Sequence, residues 1–341
     1  MKPAIVSRRC LRISFASLAL AIAAWGALAL WYQASSPWRW PLLVAWTVVG
    51  LATVAAPWLR CRRNVYPLAG IALLTLLGWW SLLAPSHGRD WADDVARLLM
   101  VETDGDRIVL RNVRNFDWRS ETDYDVRWES REYDLDELVS GDLILSYWMG
   151  PAIAHTLVSF GFSDGRQLVF SLEIRKERHE AFSAVAGFFR QYEAVLIAAD
   201  EHDIVRVRTN VRGEDVRLYR LMLDREQLRA ALLGYLQEAD EIGRAPRFYN
   251  TLTSNCTTIV FDLARRFAPA LPLDYRLLLS GYFAEYVYDQ SGLVPGYDYP
   301  TLEARGDITA RARAFDGPAG QFPSAIRRGV PGVPVGSAER P

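Results

Sequence analysis

The stretch "TSNCTTIVFDLARRF" surrounds Cys256 with Ser254, Asn255, Thr257 and Thr258, and follows it with Ile259, Val260, Leu263 and Phe267 at helical spacing. Small polar residues ahead of an apolar periodic run mark a helix start, so the thiol is expected in a first turn. There, unpaired backbone N–H groups and the positive end of the helix dipole favour thiolate over thiol, and thiolate is the nucleophile. The same N–H groups can hold the oxyanion that forms when sulfur attacks a carbonyl. An acyl-transferring cysteine requires this placement. The competing reading is an inert cysteine packed as a small hydrophobe.

Such a nucleophile wants a base, and the chain has four histidines: His87, His155, His179 and His202. His87 stands just after the last apolar segment, His179 lies in the charged run "RKERHEAF", and His202 sits among acids in "ADEHDIV". These three read as loop or surface residues. His155 begins the apolar run "HTLVSFGF", either as a satisfied structural residue or as the base. In the return run "SLEIRKE", Glu173 is the acid within an apolar strand and could orient the imidazole. Register decides whether it can. A two-residue Asp164-Gly165 turn sets His155 opposite Ile174 and turns Glu173 away. A three-residue turn including Arg166 sets Leu157 opposite Glu173 and brings the acid and His155 onto one face, which is the expectation. No close pair of ligands has zinc-like spacing, so neither metal nor cofactor is expected. Arg206, Arg208 and Arg212 read as the wet face of a strand, with contact to an anionic headgroup as the rival reading.

The elements that must position these residues fall into two parts. Three charge-free segments crowd the first quarter: "ISFASLALAIAAWGALALWY", "PLLVAWTVVGLATVAAPWL" and "YPLAGIALLTLLGWWSLLAP", giving spans at about 13–32, 41–59 and 66–84. Each is close to the ~20 residues that cross a bilayer as a helix, and none shows an amphipathic stripe. Arg8, Arg9 and Arg12 precede the first, and Arg60, Arg62 and Arg63 fill the "RCRRN" turn, whereas "QASSPWRW" holds only Arg39. The N-terminus and that turn are therefore expected in the cytoplasm, and everything after Pro85 outside, in the periplasm of a Gram-negative cell. Cleavage of the first segment as a signal peptide would leave that destination unchanged. Cys10 and Cys61 then face the reducing side. Cys256 is alone in the exported part, without an intrachain disulfide partner, which invites a specific reason for the thiol. The net charge of −1 offers no basic excess for nucleic acid.

In residues 86–309, "SGDLILSYW", "AVLIAAD", "DIVRVRTNV" and "DVRLYRLML" read as strands, as do the two runs that flank the "SDGR" turn. "AFSAVAGFFRQYE" reads as a helix or an ordered connection, and "DREQLRAALLGYLQEADEI" as a helix capped by Asp224. The Gly- and Pro-rich residues 310–341 are expected to be a loosely held tail. The fold class is α+β: a membrane anchor over 1–85, then an antiparallel sheet with flanking helices.

Together, "HTLVSFGF", "SLEIRKE", "GFFRQYE", "ADEHDIVRVRTN" and "FYNTLTSNCTT" make the region from about Trp148 to Asp289 resemble the Lnb N-terminal periplasmic domain family. That family looks like a circularly permuted relative of papain-like thiol enzymes, with histidine before cysteine as in the branch that includes lecithin–retinol acyltransferase. The resemblance implies Cys256 as nucleophile, His155 as base and Glu173 as third residue, with Tyr249, Asn250 and Asn255 shaping a substrate pocket. It implies a periplasmic cysteine acyltransferase or lipid-processing hydrolase that forms an acyl-thioester on Cys256. Membrane phospholipid would be the acyl donor, and a lipoprotein or another envelope molecule the acceptor. The family's namesake moves a fatty acyl chain from phospholipid to a lipoprotein amino terminus. There the domain lies at the front of the chain, whereas three spans precede it here, so the chemistry can carry over while the substrate differs. The other two readings are a thiol peptidase or amidase acting on cell-wall peptide or protein, and a non-catalytic envelope scaffold.

Overall fold

The computed structural model describes residues 3–59 and 62–334. Arg60 and Cys61 of the "RCRRN" turn and the end of the expected tail, 335–341, lie outside the described residues, and of Arg8 and Arg62 only the backbone is described. The chain divides into two compact units, the first formed by residues 1–86 and 182–192, the second by 87–181 and 193–341.

The first unit contains α1 (Pro3–Gln33), α2 (Arg39–Ala55) and α3 (Arg62–Leu82). Among the described residues, three helices are long and apolar enough to cross a membrane: Arg9–Gln33, Arg39–Trp58 and Arg63–Leu82. Their outer surfaces carry Leu20, Val48 and Leu74, each more than half exposed, an arrangement suited to hydrocarbon and not to water. Between α1 and α2 the backbones approach closely. The Trp46 indole N–H donates to the Ala23 carbonyl at 2.8 Å, and a Cβ on Gly26 would collide with the Trp46 ring. A small residue is what such a close helix pair needs.

The second unit is built on strands β1 (Met100–Asp104), β2 (Arg107–Arg114), β3 (Asp117–Trp118), β4 (Tyr124–Asp125), β5 (Trp128–Asp134), β6 (Leu138–Tyr147), β7 (Ala154–Phe162), β8 (Gln167–Arg175), β9 (Glu193–Ala199) and β10 (Asp215–Arg220). Eight of them form one sheet in the order β1-β2-β9-β8-β7-β6-β10, with β5 on β2; β3 and β4 pair separately. All contacts in the large sheet are antiparallel except β2 with β9. The helices are α4 (Glu201–Arg206), α5 (Arg225–Arg244), α6 (Cys256–Phe267), α7 (Phe283–Asp289), α8 (Tyr299–Gly306), α9 (Thr309–Arg313) and α10 (Phe322–Ile326). The α+β expectation holds.

Alternation along the strands creates two cores. Val158, Phe160 and Phe170 pack with Leu232, Tyr235 and Leu236 of α5 and with Ile259 and Leu263 of α6. On the other side, Leu157, Val169 and Ile197 pack with Ile204 of α4 and with Phe322 and Ile326 of α10. Helix α5 starts where its sequence indicates, with a full capping box between Asp224 and Gln227.

Three expectations need correction. "DIVRVRTNV" is not a strand. It forms most of α4 and a π-helical turn, Val207–Val211, because Asp200 caps the helix by accepting from the His202 N–H and because Ile204, Val205, Val207 and Arg208 are all buried. Local alternation yields here to capping and packing. The segment after 309 is not loose over its described length. Phe322 and Ile326 are fully buried, and Arg327 donates to Asp142 at 2.9 Å and to Glu201 at 2.6 Å. Buried charges paired this well hold a segment that composition alone marks as a linker.

The third correction concerns the β7–β8 turn, whose loop residues are Ser163, Asp164 and Gly165. The Phe162 N–H donates to the Arg166 carbonyl at 3.0 Å, and Phe160 pairs with Leu168. Neither register weighed from the sequence occurs. Continued along the strands, the observed one sets His155 level with Glu173, so the two do share a face. Gly165 sits at φ +86, the left-handed conformation that a residue without Cβ adopts freely.

Candidate active site

The ladder between β7 and β8 stops early. It runs from Gly161↔Gln167 to Val158↔Phe170, although β7 stays paired to β6 down to Ala154 and β8 to β9 up to Arg175. The sheet therefore splits between residues 154–157 and 171–175. Helix α6 packs on both strands beside this split, and its first residue is Cys256.

Local sequence fixes that helix start. The Asn255 side chain accepts from the Thr257 N–H at 2.8 Å and the Thr258 N–H at 2.9 Å, and the Thr258 hydroxyl accepts from the Asn255 N–H at 2.8 Å. Arg265 and Arg266 occupy the last turn, where cations suit the dipole. The Thr257 hydroxyl lies 2.9 Å from that of Thr156, a buried polar link from α6 to β7.

On the opposite face of β7, His155 Nε2 lies 2.6 Å from Ser171 Oγ and 3.2 Å from Glu173 Oε1. The Ser171 hydroxyl donates to Glu173 at 2.8 Å. Behind the carboxylate, Arg208 donates to Glu173 Oε1 at 2.8 Å and lies 3.5 Å from Glu214. A chain of charge thus runs from the part-buried imidazole and carboxylate to the buried Arg208.

The electrostatics follow from this arrangement. Burial would push the Cys256 thiol up, but the charge of His155, hydrogen bonding from it and from the Thr156 backbone N–H bring it down to about 7. Where the ladder has ended, the Thr156 N–H is available to sulfur. Burial would likewise push His155 down, yet Glu173 outweighs it, with Cys256 adding to the effect, and raises it to about 9. His155 and Arg208 hold Glu173 well below its ordinary value against the opposing effect of burial. Between about 7 and about 9 the favoured state is thiolate with imidazolium. Tyr249 is pushed well above the usual phenol value, first by burial and then by the negative charge of Cys256, to which it also hydrogen-bonds. It therefore stays a protonated donor beside the sulfur.

The structure brings Cys256, His155, Glu173 and Tyr249 together. It uses the other two expected pocket residues differently. Asn250 Oδ1 accepts from the Leu252 and Thr253 N–H groups at 2.9 and 3.1 Å, and Asn255 also donates to the Thr251 carbonyl at 2.7 Å, so both amides shape the backbone that presents the thiol. Sequence reading missed Ser171 and set Arg208 on the wet face of a strand, whereas it is buried in the π-helical turn behind Glu173. Ser171 stands two residues before Glu173 on the same strand face, a signal that could have found it. Arg208 was hidden by the strand-like alternation of its segment. Among the described residues, no group of three or more His, Cys, Asp or Glu side chains is placed to hold a metal ion.

These features define a membrane-anchored α+β protein whose sheet domain carries a Cys–His–Glu cluster at a helix start, with the thiol buried and the imidazole and carboxylate part-buried. Residues 124–281 match the family model of the Lnb N-terminal periplasmic domain, the family that the motifs resemble, and the match includes Cys256, His155, Glu173 and Tyr249. No curated protein and no solved structure matches the chain. With its apolar N-terminal helices, the protein is membrane-anchored and has a periplasmic domain.

Proposed function

We propose that this protein is a cysteine acyltransferase or lipid-processing thiol hydrolase of the periplasmic face of the membrane, with its N-terminus in the cytoplasm. The observation that carries the reading is the placement of Cys256 as the first residue of α6, beside a His155 imidazole held 3.2 Å from Glu173, with the thiol displaced downward and the imidazole upward. Opposed shifts of this kind mark an activated nucleophile with its proton donor.

In the proposed reaction the Cys256 thiolate attacks an ester carbonyl carbon of a phospholipid. A C–S bond forms, and the carbonyl electron pair moves to oxygen. The Thr156 backbone N–H and the Tyr249 hydroxyl, which both hydrogen-bond the sulfur, are the donors placed to hold this oxyanion. Collapse breaks the ester C–O bond as His155 gives its proton to the leaving alcohol. An amine or water then attacks the thioester, with neutral His155 taking its proton, and the thiolate returns. Glu173 keeps the imidazole oriented and supports its charged form.

The test is mass spectrometry of the full-length protein incubated with phospholipid. An acyl adduct on the Cys256 peptide, labile to hydroxylamine and missing in Cys256→Ala, supports the reading. A wild-type protein without an adduct, or an adduct that survives the substitution, overturns it. Release of peptide from peptidoglycan without any lipid adduct would move the same thiol chemistry to an amide substrate.

A further inference from the structure

We infer that residues 182–192 are a membrane-interface segment whose apolar side chains enter the bilayer surface at the end where α1 and α3 finish. The chain leaves β8, the strand that carries Glu173, after Arg175 and re-enters the sheet at Glu193. In between, residues 182–192 belong to the unit of the three apolar helices and not to the sheet unit.

Their depth is set by their partners. The Gln33 amide donates to the Phe189 carbonyl at 3.0 Å, and the Tyr32 ring stacks on Phe189 with centroids 5.5 Å apart. Arg190 donates to the Trp80 carbonyl at 2.8 Å and sets its guanidinium over the Trp80 ring at 4.9 Å. Tyr32 and Gln33 are the last residues of α1, and Trp80 lies in the last turn of α3. At the same end, Trp31, Trp38 and Trp40 are exposed, and tryptophans concentrate in the headgroup layer of membranes. A short 3-10 turn, Ala186–Phe189, buries Ala186 and Phe189 inwards, while Phe182, Val185 and Phe188 are 54%, 47% and 41% exposed. Apolar side chains turned outwards at the level of a tryptophan belt meet lipid, as the apolar face of an interfacial helix does. Continuity with the spans selects the bilayer as the occupant.

This inference does not depend on the thiol reaction, and neither do its tests. Full-length protein is reconstituted in nanodiscs of phosphatidylethanolamine and phosphatidylglycerol, with Cys10, Cys61 and Cys256 changed to Ser and a nitroxide attached at Val185→Cys or Phe188→Cys. Oxygen should then outcompete a water-soluble nickel chelate in collisions with the label, as it does at the lipid-facing control Val48→Cys. A ratio like that at the exposed turn residue Asp106→Cys overturns the inference. The unmodified protein supplies a second readout that needs no substitution. A lipid-borne diazirine should label the peptide "HEAFSAVAGFFR" between Arg178 and Arg190, and labelling confined to α1, α2 and α3 would sink the idea.

Discussion

His155 Nε2 lies 3.2 Å from Glu173 Oε1 across two strands that share no ladder at that level. A continuous ladder would close the gap into which α6 brings its first turn and would occupy the Thr156 N–H that reaches sulfur. The split between β7 and β8 is thus what lets a helix on one face of the sheet meet an imidazole on the other.

The thiol should ionise well below an ordinary cysteine. Alkylation of Cys256 by iodoacetamide is expected to rise with pH around a midpoint of about 7. In His155→Asn the charge that lowers it is gone and burial remains, so the midpoint moves to 9 or above. At pH 7 the rate then drops roughly fiftyfold or more, from the loss of thiolate alone. An unchanged midpoint would rule out the ion pair.

Glu173→Gln tests the other side of the pair. The imidazolium loses its main support while burial and Arg208 still oppose it, so the alkaline limit of turnover, expected near 9 in the wild type, moves down. The sign for stability is separate. A carboxylate held below its ordinary value stabilises the fold above about 4.5, and that contribution fades as pH falls through its native value. Acid unfolding should accordingly be shallower in the Gln variant. Leaving Arg208 facing His155 without the anion should cost about 3–5 kcal/mol at neutral pH, measured by chemical denaturation in detergent.

Asn255 acts by holding the helix start. Asn255→Ala is expected to cost about 1 kcal/mol and to raise the alkylation midpoint, because the first turn frays and its N–H groups turn from the sulfur. Asn255→Ser, which keeps an acceptor at the cap, should recover most of both effects. If Ser is as damaging as Ala, the amide has another role, such as contact with substrate.

Arg327 ties the C-terminal segment to the sheet through Asp142 and Glu201. Arg327→Met should destabilise the protein by about 3–5 kcal/mol, since it leaves buried carboxylates short of a partner. Adding Glu201→Gln should return part of that loss. A melt that does not move in Arg327→Met would mean that the segment is held by Phe322 and Ile326 alone.

The anchor, the helix start at Cys256, the cap at Asp224 and the hairpin after Phe162 could all be read from residue order. Each depends on neighbours within one or two turns of chain: apolar length, a capping side chain, an Asp-Gly pair. The pairing of His155 with Glu173 could be suspected from residue order, yet its register could not be fixed there, since one residue in a turn flips every side chain beyond it. Arg208 behind the carboxylate, the packed segment after 309 and the assignment of 182–192 to the anchor came only from the fold. All three rest on partners far away in the chain, and burial against those partners overrode local alternation, Gly and Pro content, and position in the sequence.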